Sequence, residues 1–480
     1  MKVKIEKITI NEESTIREAM KALSYGEIGV VCLAHKKDNR FIRIITDGDI
    51  RRALLNGLGL ESSIKLIDKV ETTVMHIDTP LSETIKLFSD KVRVVPLVND
   101  QSQVVDLVFY DKISHIPVAK PLFDDEEIEL VNECMVTGWI SGGKFVTQFE
   151  EMVAEHTGVK YAISASSGTT ALHLILMAYG IGKGDEVIVP SMTFVATANA
   201  VSYTGAKPVF IDSDIESWNI DTTKIEDLIT KNTKAIIPVH LYGHPADMDP
   251  IKAIAKRYNL KVIEDAAEAQ GALYKKQKIG SLADAAMFSF FGNKIITTGE
   301  GGMVVTDDET IADKCRLLRD HGMTTEKRYW HLVVGHNYRM TNIQAAIGVA
   351  QMRKINSIVM MKKNVAKEYD EQLKDIPGIS LPPNSDWAEN IFWLYTILID
   401  ETITGLSAAM LSSELEDNNI DSRMVFYPMH VQPIYQTDGS FPVADMLHKT
   451  GISLPSSPDI TKSEIDKICQ VIKSLIGSYT

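Results

Sequence analysis

Short apolar runs alternate with amphipathic segments over the first 115 residues of the chain. IGVVCLA (28–34) and FIRIIT (41–46) predict buried strands, and TIREAMKALS (15–24) and IRRALLNG (50–57) predict amphipathic helices. The order then recurs. From Val74 to Ile113 the chain repeats turn, helix, apolar strand, polar hairpin tip, apolar strand and a closing acidic turn. The stretch HIPVAKPLFDDEEIELV, with Pro117 and Pro121 ahead of an acidic helix start, reads as a boundary. Beyond it the rhythm changes. YAISAS, EVIVP, PVFID, AIIPVHL, KVIED, AMFSF and GMVVT are apolar strand candidates separated by helix-like or turn-rich segments, the pattern of a mostly parallel sheet covered on both faces. From about residue 355 a long helical pattern and then mixed segments predict a smaller C-terminal α/β domain. The organisation expected is therefore 1–60, 61–115, 116–355 and 356–480.

Composition narrows the functional classes. With 480 residues, 45% apolar and 24% charged, the chain has ordinary globular usage and length for several cores. A net charge of −14 disfavours a general binder of nucleic acid or of anionic membranes and leaves room for local basic pockets. Cys32, Cys134, Cys315 and Cys469 are spaced too widely to read as a disulfide framework, a zinc site or an iron–sulfur signature, so no metal is expected. The start MKVKIEKITINEEST lacks an apolar h-region, and no run approaches the roughly 18 apolar residues of a membrane span. A reducing cytoplasm is the expected compartment.

Three segments carry candidate chemistry. SASSGTTALHLILMA runs from a strand through Gly168 and Thr169 into an apolar helix; Gly168 either only permits a tight turn or opens a helix N-terminus that cradles phosphate. KVIEDAAEAQGA ends a buried strand in Glu264 and Asp265, where a desolvated carboxylate needs a cation or hydrogen bonds. MFSFFGNKIITTGEGG places Ser289 and Lys294 between a strand and a glycine-rich turn; the lysine either snorkels to solvent or is held in a cleft as a nucleophile. Phosphate cradle, strand-end carboxylate and amine are together what pyridoxal 5'-phosphate needs.

In the first 115 residues ITDGDIRRAL resembles the cystathionine-β-synthase-type (CBS) module, whose tandem pairs often bind adenine nucleotides. The resemblance implies phosphate and ribose contacts at Thr46 and Asp49, whereas Val108, three residues before Asp111, breaks the pattern in the second copy. The same two residues also suit a plain helix cap.

WISGGKFVTQFE, ASSGTTALHL, PSMTFVATANAV, EDAAEAQGA, SFFGNKIITTGEGG, YRMTNIQAAIG and FYPMHVQPIY, in that order, resemble the DegT/DnrJ/EryC1/StrS sugar aminotransferases. The resemblance covers residues 117–480 and implies the fold-type I aminotransferase architecture, a mostly parallel seven-stranded sheet with a small C-terminal α/β domain. It implies Lys294 as the Schiff-base lysine, Asp265 as pyridinium partner, Phe194 stacked on the ring, and Glu268 beside the phenolic oxygen. Gly168, Thr169 and Ser289 fall to the phosphate. Family members are homodimers in which a neighbour's Asn reaches the phosphate, the place held here by Asn337; His336 beside it replaces a more usual tyrosine.

HLYGHPADMDPI, LLRDHGM, RYWH and FYPMHVQPIY are similar to the GDP-perosamine synthase group, which implies L-glutamate as donor, GDP-4-keto-6-deoxymannose as acceptor and a place in lipopolysaccharide O-antigen biosynthesis. Arg328, His331, Arg423, Tyr427 and His430 are the candidates for the sugar-nucleotide pocket. The alternatives are a UDP-linked 4-keto sugar as substrate, a sugar dehydratase, which the family builds with histidine in place of Lys294, and a non-catalytic nucleotide sensor.

Overall fold

The computed structural model describes residues 5–26, 29–68, 72–80, 83, 87–88, 92–109 and 115–479. The chain forms two compact units, Met1–His115 and Ile116–Thr480.

The first unit is built from two three-stranded sheets of the same topology. In one, β1 (Thr9–Asn11) runs parallel to β2 (Val30–Ala34), which is antiparallel to β3 (Phe41–Thr46). In the other, β4 (Met75–His76) is parallel to β5 (Val94–Val98) and β5 antiparallel to β6 (Val104–Phe109). Every residue of β2 is buried, as its unbroken apolar run requires. The helices Ile16–Gly26 and Asp47–Leu55 close one core around Ile16, Leu33, Ile45, Ile50 and Ile64. A second cluster joins Val30, Cys32 and Ile44 of the first sheet to Leu107 of the second. Much of the helix expected in the second repeat, and the acidic turn with Asp111, lie outside the described residues.

The second unit centres on seven strands: β7 (Tyr161–Ala165), β8 (Glu186–Pro190), β9 (Lys207–Ile211), β10 (Thr233–Ile236), β11 (Lys261–Asp265), β14 (Ala285–Ser289) and β15 (Gly302–Thr306). The short pair β12 (Leu273–Tyr274) and β13 (Gln277–Lys278) lies between β11 and β14 in the chain. The sheet order is β7-β15-β14-β11-β10-β8-β9; the contacts of β15 are antiparallel and the others parallel. Alternate residues of each strand feed two cores, one on each face. Ile188, Val262 and Phe288 enter the core that holds Phe149 and Ile355, while Val187, Ile263 and Met287 enter the core under the helix Gly168–Ala178. That helix is apolar nearly all round and is buried accordingly.

The boundary expected at 355/356 falls inside one helix, Asn342–Leu373, of 32 residues. Its Met352, Ile355 and Ile358 pack into the large core and its Val365, Ala366, Tyr369 and Leu373 into a third core. One continuous apolar stripe serves both, so the periodicity carries no mark where one domain yields to the next. The third core backs a four-stranded antiparallel sheet, β16 (Ile379–Ser380), β18 (Tyr395–Ile399), β20 (Gly451–Leu454) and β19 (Arg423–Met424) in that order, while β17 (Ala388–Glu389) pairs with β12. Ile116 joins this core and bridges to Ile420. No helix among the described residues is long and apolar enough to cross a membrane.

Candidate active site

The carboxyl ends of parallel strands leave a crevice where helix N-termini present free N–H groups. Here β7, β11 and β14 end at Ala165, Asp265 and Ser289, and a cavity of about 350 Å³ opens over them.

At one end of the cavity Ser167 caps the helix Gly168–Ala178, its Oγ accepting from the Thr170 N–H at 3.2 Å. Gly168 is pressed against the end of β14. A Cβ at this position would come within 2.9 Å of the Ser289 Cβ and 3.0 Å of the Met287 sulfur, so glycine lets the helix N-terminus approach Ser289. Thr169 lines the same corner. First-turn N–H groups and hydroxyls around a glycine-floored hollow suit a phosphate.

At the opposite wall Asp265 is 4% exposed. Its carboxylate accepts from the Thr197 hydroxyl at 2.7 Å and from the Ala267 N–H at 3.2 Å. Burial holds this carboxyl above the ordinary range, opposed by those hydrogen bonds and by the charge of Lys294. Thr197 in turn bonds Thr193, so Asp265 is held in one orientation.

Lys294 lines the same cavity. Its side chain is 11% exposed, with Nζ 3.7 Å from Glu268 Oε1 and 3.7 Å from the centroid of the Trp393 ring. Burial lowers its pKa, while Glu268 and Asp265 pull the other way. Burial pushes Glu268 up to about 7, against the pull of Lys294 and of the Tyr242 N–H. That N–H donates to Glu268 Oε2 at 2.7 Å, from a backbone in the left-handed region (φ 53°). Phe194 caps the helix Val195–Tyr203, stays 55% exposed, and borders the cavity beside Phe426, the two ring centroids 5.8 Å apart.

These residues fit pyridoxal phosphate. The glycine-floored helix N-terminus suits its phosphate, the half-exposed Phe194 its ring face, the buried Asp265 its pyridine nitrogen, and the desolvated amine of Lys294 its aldehyde carbon.

The sugar-nucleotide candidates divide. Arg423, on β19, lines the cavity and acts electrostatically on Lys294. His430 does not belong to the cavity: it is buried, Nδ1 2.7 Å from the Ser191 Oγ and Nε2 3.0 Å from Asp445, with its ring stacked on Phe441. It ties the loop after β8 to the C-terminal domain, the packing role that the sequence left open beside a substrate contact. Tyr427 is exposed and packs on His448, outside the cavity lining. Arg328 lies against Tyr329, and His331 Nδ1 meets the His321 carbonyl at 2.9 Å, both in an exposed loop away from this cavity. Asn337 is exposed and bridges to Asp320, also outside the lining.

Sequence reasoning passed over Trp393, Thr197 and Phe426. Thr197 carried a signal, since it follows Phe194 by nearly one helical turn and so shares its face. Trp393 and Phe426 carried none, because the C-terminal half of the chain brings them in.

In the first unit Thr46 and Asp49 form a capping box: Thr46 N–H and Oγ1 each lie 2.8 Å from Asp49 Oδ2, and the Asp49 N–H meets Thr46 Oγ1 at 3.2 Å. Asp49 also pairs with Arg52. A cavity of about 390 Å³ in this unit is lined by Thr9, Cys32, Ala34, Phe41, Gln103 and Val104 among others, without Thr46 or Asp49.

Residues 121–473 match the DegT/DnrJ/EryC1/StrS aminotransferase family, and residues 4–56 match the CBS domain. The chain is 47% identical over 371 residues to a GDP-perosamine synthase of Caulobacter vibrioides, spanning 76% of this chain and 99% of that protein. It is 45% identical over 362 residues to a GDP-perosamine synthase of Escherichia coli O157:H7, spanning 75% and 98%. A Streptococcus pneumoniae structure described as a sugar aminotransferase in its PLP form superimposes with a TM-score of 0.71 at 27% identity, covering 76% of this chain and 100% of that one. The chain belongs to the DegT/DnrJ/EryC1/StrS aminotransferase family and is a pyridoxal-phosphate-dependent sugar aminotransferase with a CBS domain in its N-terminal unit.

Proposed function

We propose that the protein moves the amino group of L-glutamate to C4 of a nucleotide-linked 4-keto-6-deoxy sugar, with GDP-4-keto-6-deoxymannose as the acceptor. The observation that carries this reading is the placement of the Lys294 amine beside the Glu268 carboxylate in the cavity that Asp265 also lines, in a chain that resembles GDP-perosamine synthases along three-quarters of its length. The catalytic body is residues 116–480, its large and small parts meeting within the helix Asn342–Leu373.

When bound, pyridoxal phosphate supplies an electron sink for the carbanion that forms at the donor's α-carbon. Lys294 would anchor the cofactor, and its Nζ would move a proton from the α-carbon of glutamate to the cofactor's aldehyde carbon and, in the second half, from that carbon to C4 of the sugar. The lowered pKa of the buried amine keeps a free base available for this. Asp265 holds the proton on the pyridine nitrogen, an interaction that strengthens as negative charge develops. Gly168, Thr169 and Ser289 would hold the phosphate, Phe194 would cover the ring, and Glu268 would serve the phenolic oxygen. Trp393 and Phe426 line the wall and exclude water. Donor and acceptor use the cavity in turn, with Arg423 the cation that meets their anionic groups. Asn337, Arg328, His331 and Tyr427, all on exposed segments, serve across the interface of a homodimer, where Asn337 reaches the neighbour's phosphate.

The N-terminal unit is read as a CBS pair that binds a nucleotide, adenine-based or the guanine-based sugar nucleotide, and alters the aminotransferase kinetics. The proposed compartment is the cytoplasm, which keeps the four buried free thiols reduced.

The test offers the purified protein L-glutamate with GDP- and UDP-linked 4-keto-6-deoxy sugars and reads amination by mass. Amination of the GDP sugar is expected; turnover of the UDP sugar alone would overturn the nucleotide assignment.

A further inference from the structure

The helix Asn342–Leu373 carries a second buried amine. Lys362 is 3% exposed, and its Nζ donates to the Trp393 carbonyl at 2.9 Å, to the Ser456 hydroxyl at 3.1 Å and to the Ser456 carbonyl. No carboxylate among the described residues neutralises it, and burial pushes its pKa down to about 7. An apolar side chain of similar length would avoid the desolvation penalty this amine carries. The oxygens it gathers therefore point to a geometric role.

One of those oxygens belongs to Trp393, a residue of the active-site wall, and the other two belong to Ser456. The Trp393 indole N–H donates to the Asn293 carbonyl at 2.7 Å, and its ring lies over Lys294 Nζ and nearly parallel to Tyr242. The residue before it, Phe392, sits in the left-handed region (φ 51°), with its N–H held by Asn390 Oδ1 at 2.7 Å. A bulky residue keeps such a conformation only where its surroundings over-determine it. Lys362 supplies the restraint on the other side of Trp393. The Ser456 hydroxyl it holds also accepts from the Tyr395 N–H at 3.3 Å, so one amine fixes the chain on both sides of Leu394.

We infer that Lys362 is a positioning residue for transamination, which holds the Trp393 carbonyl against Ser456 and thereby keeps the indole face on the Lys294 amine. The inference rests on the reading of Lys294 as the cofactor lysine. An aromatic face favours the ammonium over the neutral amine, so the contact raises the pH at which Lys294 becomes the free amine that captures an aldehyde. Glu268 and Asp265 act in the same sense and Arg423 against it; all three stay in place when Lys362 is changed.

The rate at which the full-length apoenzyme captures pyridoxal phosphate, followed by absorbance across pH, reads the Lys294 midpoint without turnover. Lys362→Met is expected to lower that midpoint by roughly half a unit to one unit. Trp393→Leu should lower it similarly, and the double variant should go no further. Ser456→Ala keeps the lysine but removes one acceptor; it should give a smaller drop and decides the matter if Lys362→Met does not fold. A midpoint that neither variant moves, or shifts of Lys362→Met and Trp393→Leu that simply add, would overturn the proposal. So would a rise, which removal of a nearby positive charge alone would produce. A parent apoenzyme with no midpoint at all would instead overturn the assignment of Lys294.

Discussion

Lys294 and Glu268 face each other across 3.7 Å inside the cavity, the amine held below its usual range and the carboxyl raised to about 7, both through burial. Each group tempers the other's shift.

That relationship makes apoenzyme stability depend on pH. For Glu268 the folded-state value of about 7 lies above the ordinary 4.5. The unfolded chain therefore loses this proton first, and the folded state loses stability as pH rises from about 4.5 to about 7. Glu268→Gln should flatten the fall in melting temperature over that window in the cofactor-free protein. A melting curve against pH that is the same in both proteins would refute the raised value.

Lys294→Ala should abolish turnover and remove the visible absorption of the bound cofactor, with circular dichroism unchanged. Among the described residues no other lysine lines the cavity. Full activity in this variant would refute the amine's assigned role.

Asp265→Asn should still bind cofactor but turn over roughly 10²–10³-fold more slowly, because an amide cannot hold the pyridine proton as charge develops. The amide oxygen can accept from the Ala267 N–H as Oδ1 does, and its NH2 can donate to the Thr197 hydroxyl once that hydroxyl turns to accept, so the orientation is retained. Single-turnover kinetics near the parent rate would show that the strand-end carboxylate plays no part.

Asn337 is exposed on its own chain and away from its own cavity. If it serves a neighbour, mixing Lys294→Ala subunits with impaired Asn337→Asp subunits should restore part of the activity, since one hybrid site receives both intact residues. Subunit exchange shown by mass without any recovery would count against a shared site.

For the N-terminal unit, a chain beginning at Ile116 should remain folded and active, because residues 116–480 hold three cores of their own. It should lose any kinetic response to adenine or guanine nucleotides. In the full chain Asp49→Ala should weaken nucleotide binding measured by calorimetry and cost the first unit about 1 kcal/mol through the lost reciprocal half of the capping box, the bonds from the Thr46 N–H and hydroxyl. Lost cap stability with no nucleotide binding in the parent would leave Thr46 and Asp49 as a helix cap alone.

Much of this was legible in the chain itself. Runs such as EVIVP and KVIED lie buried on both faces of a parallel sheet, so their apolar continuity named them as strands, and the polar residues ending them, Asp265 and Ser289, marked the crevice. Gly168, Thr169, Asp265, Glu268, Ser289 and Lys294 come from local strand-to-loop motifs that fix each at the carboxyl end of its own strand, and the sheet order brings those ends to one cavity. The tertiary structure decided what depends on contacts between distant segments. It carried Trp393 and Phe426 to the wall, gave Thr197 to Asp265, and turned His430 away to clamp Ser191 and Asp445. It also ran one helix through the boundary expected at 355/356, because an apolar stripe records that a face is buried and not which core buries it.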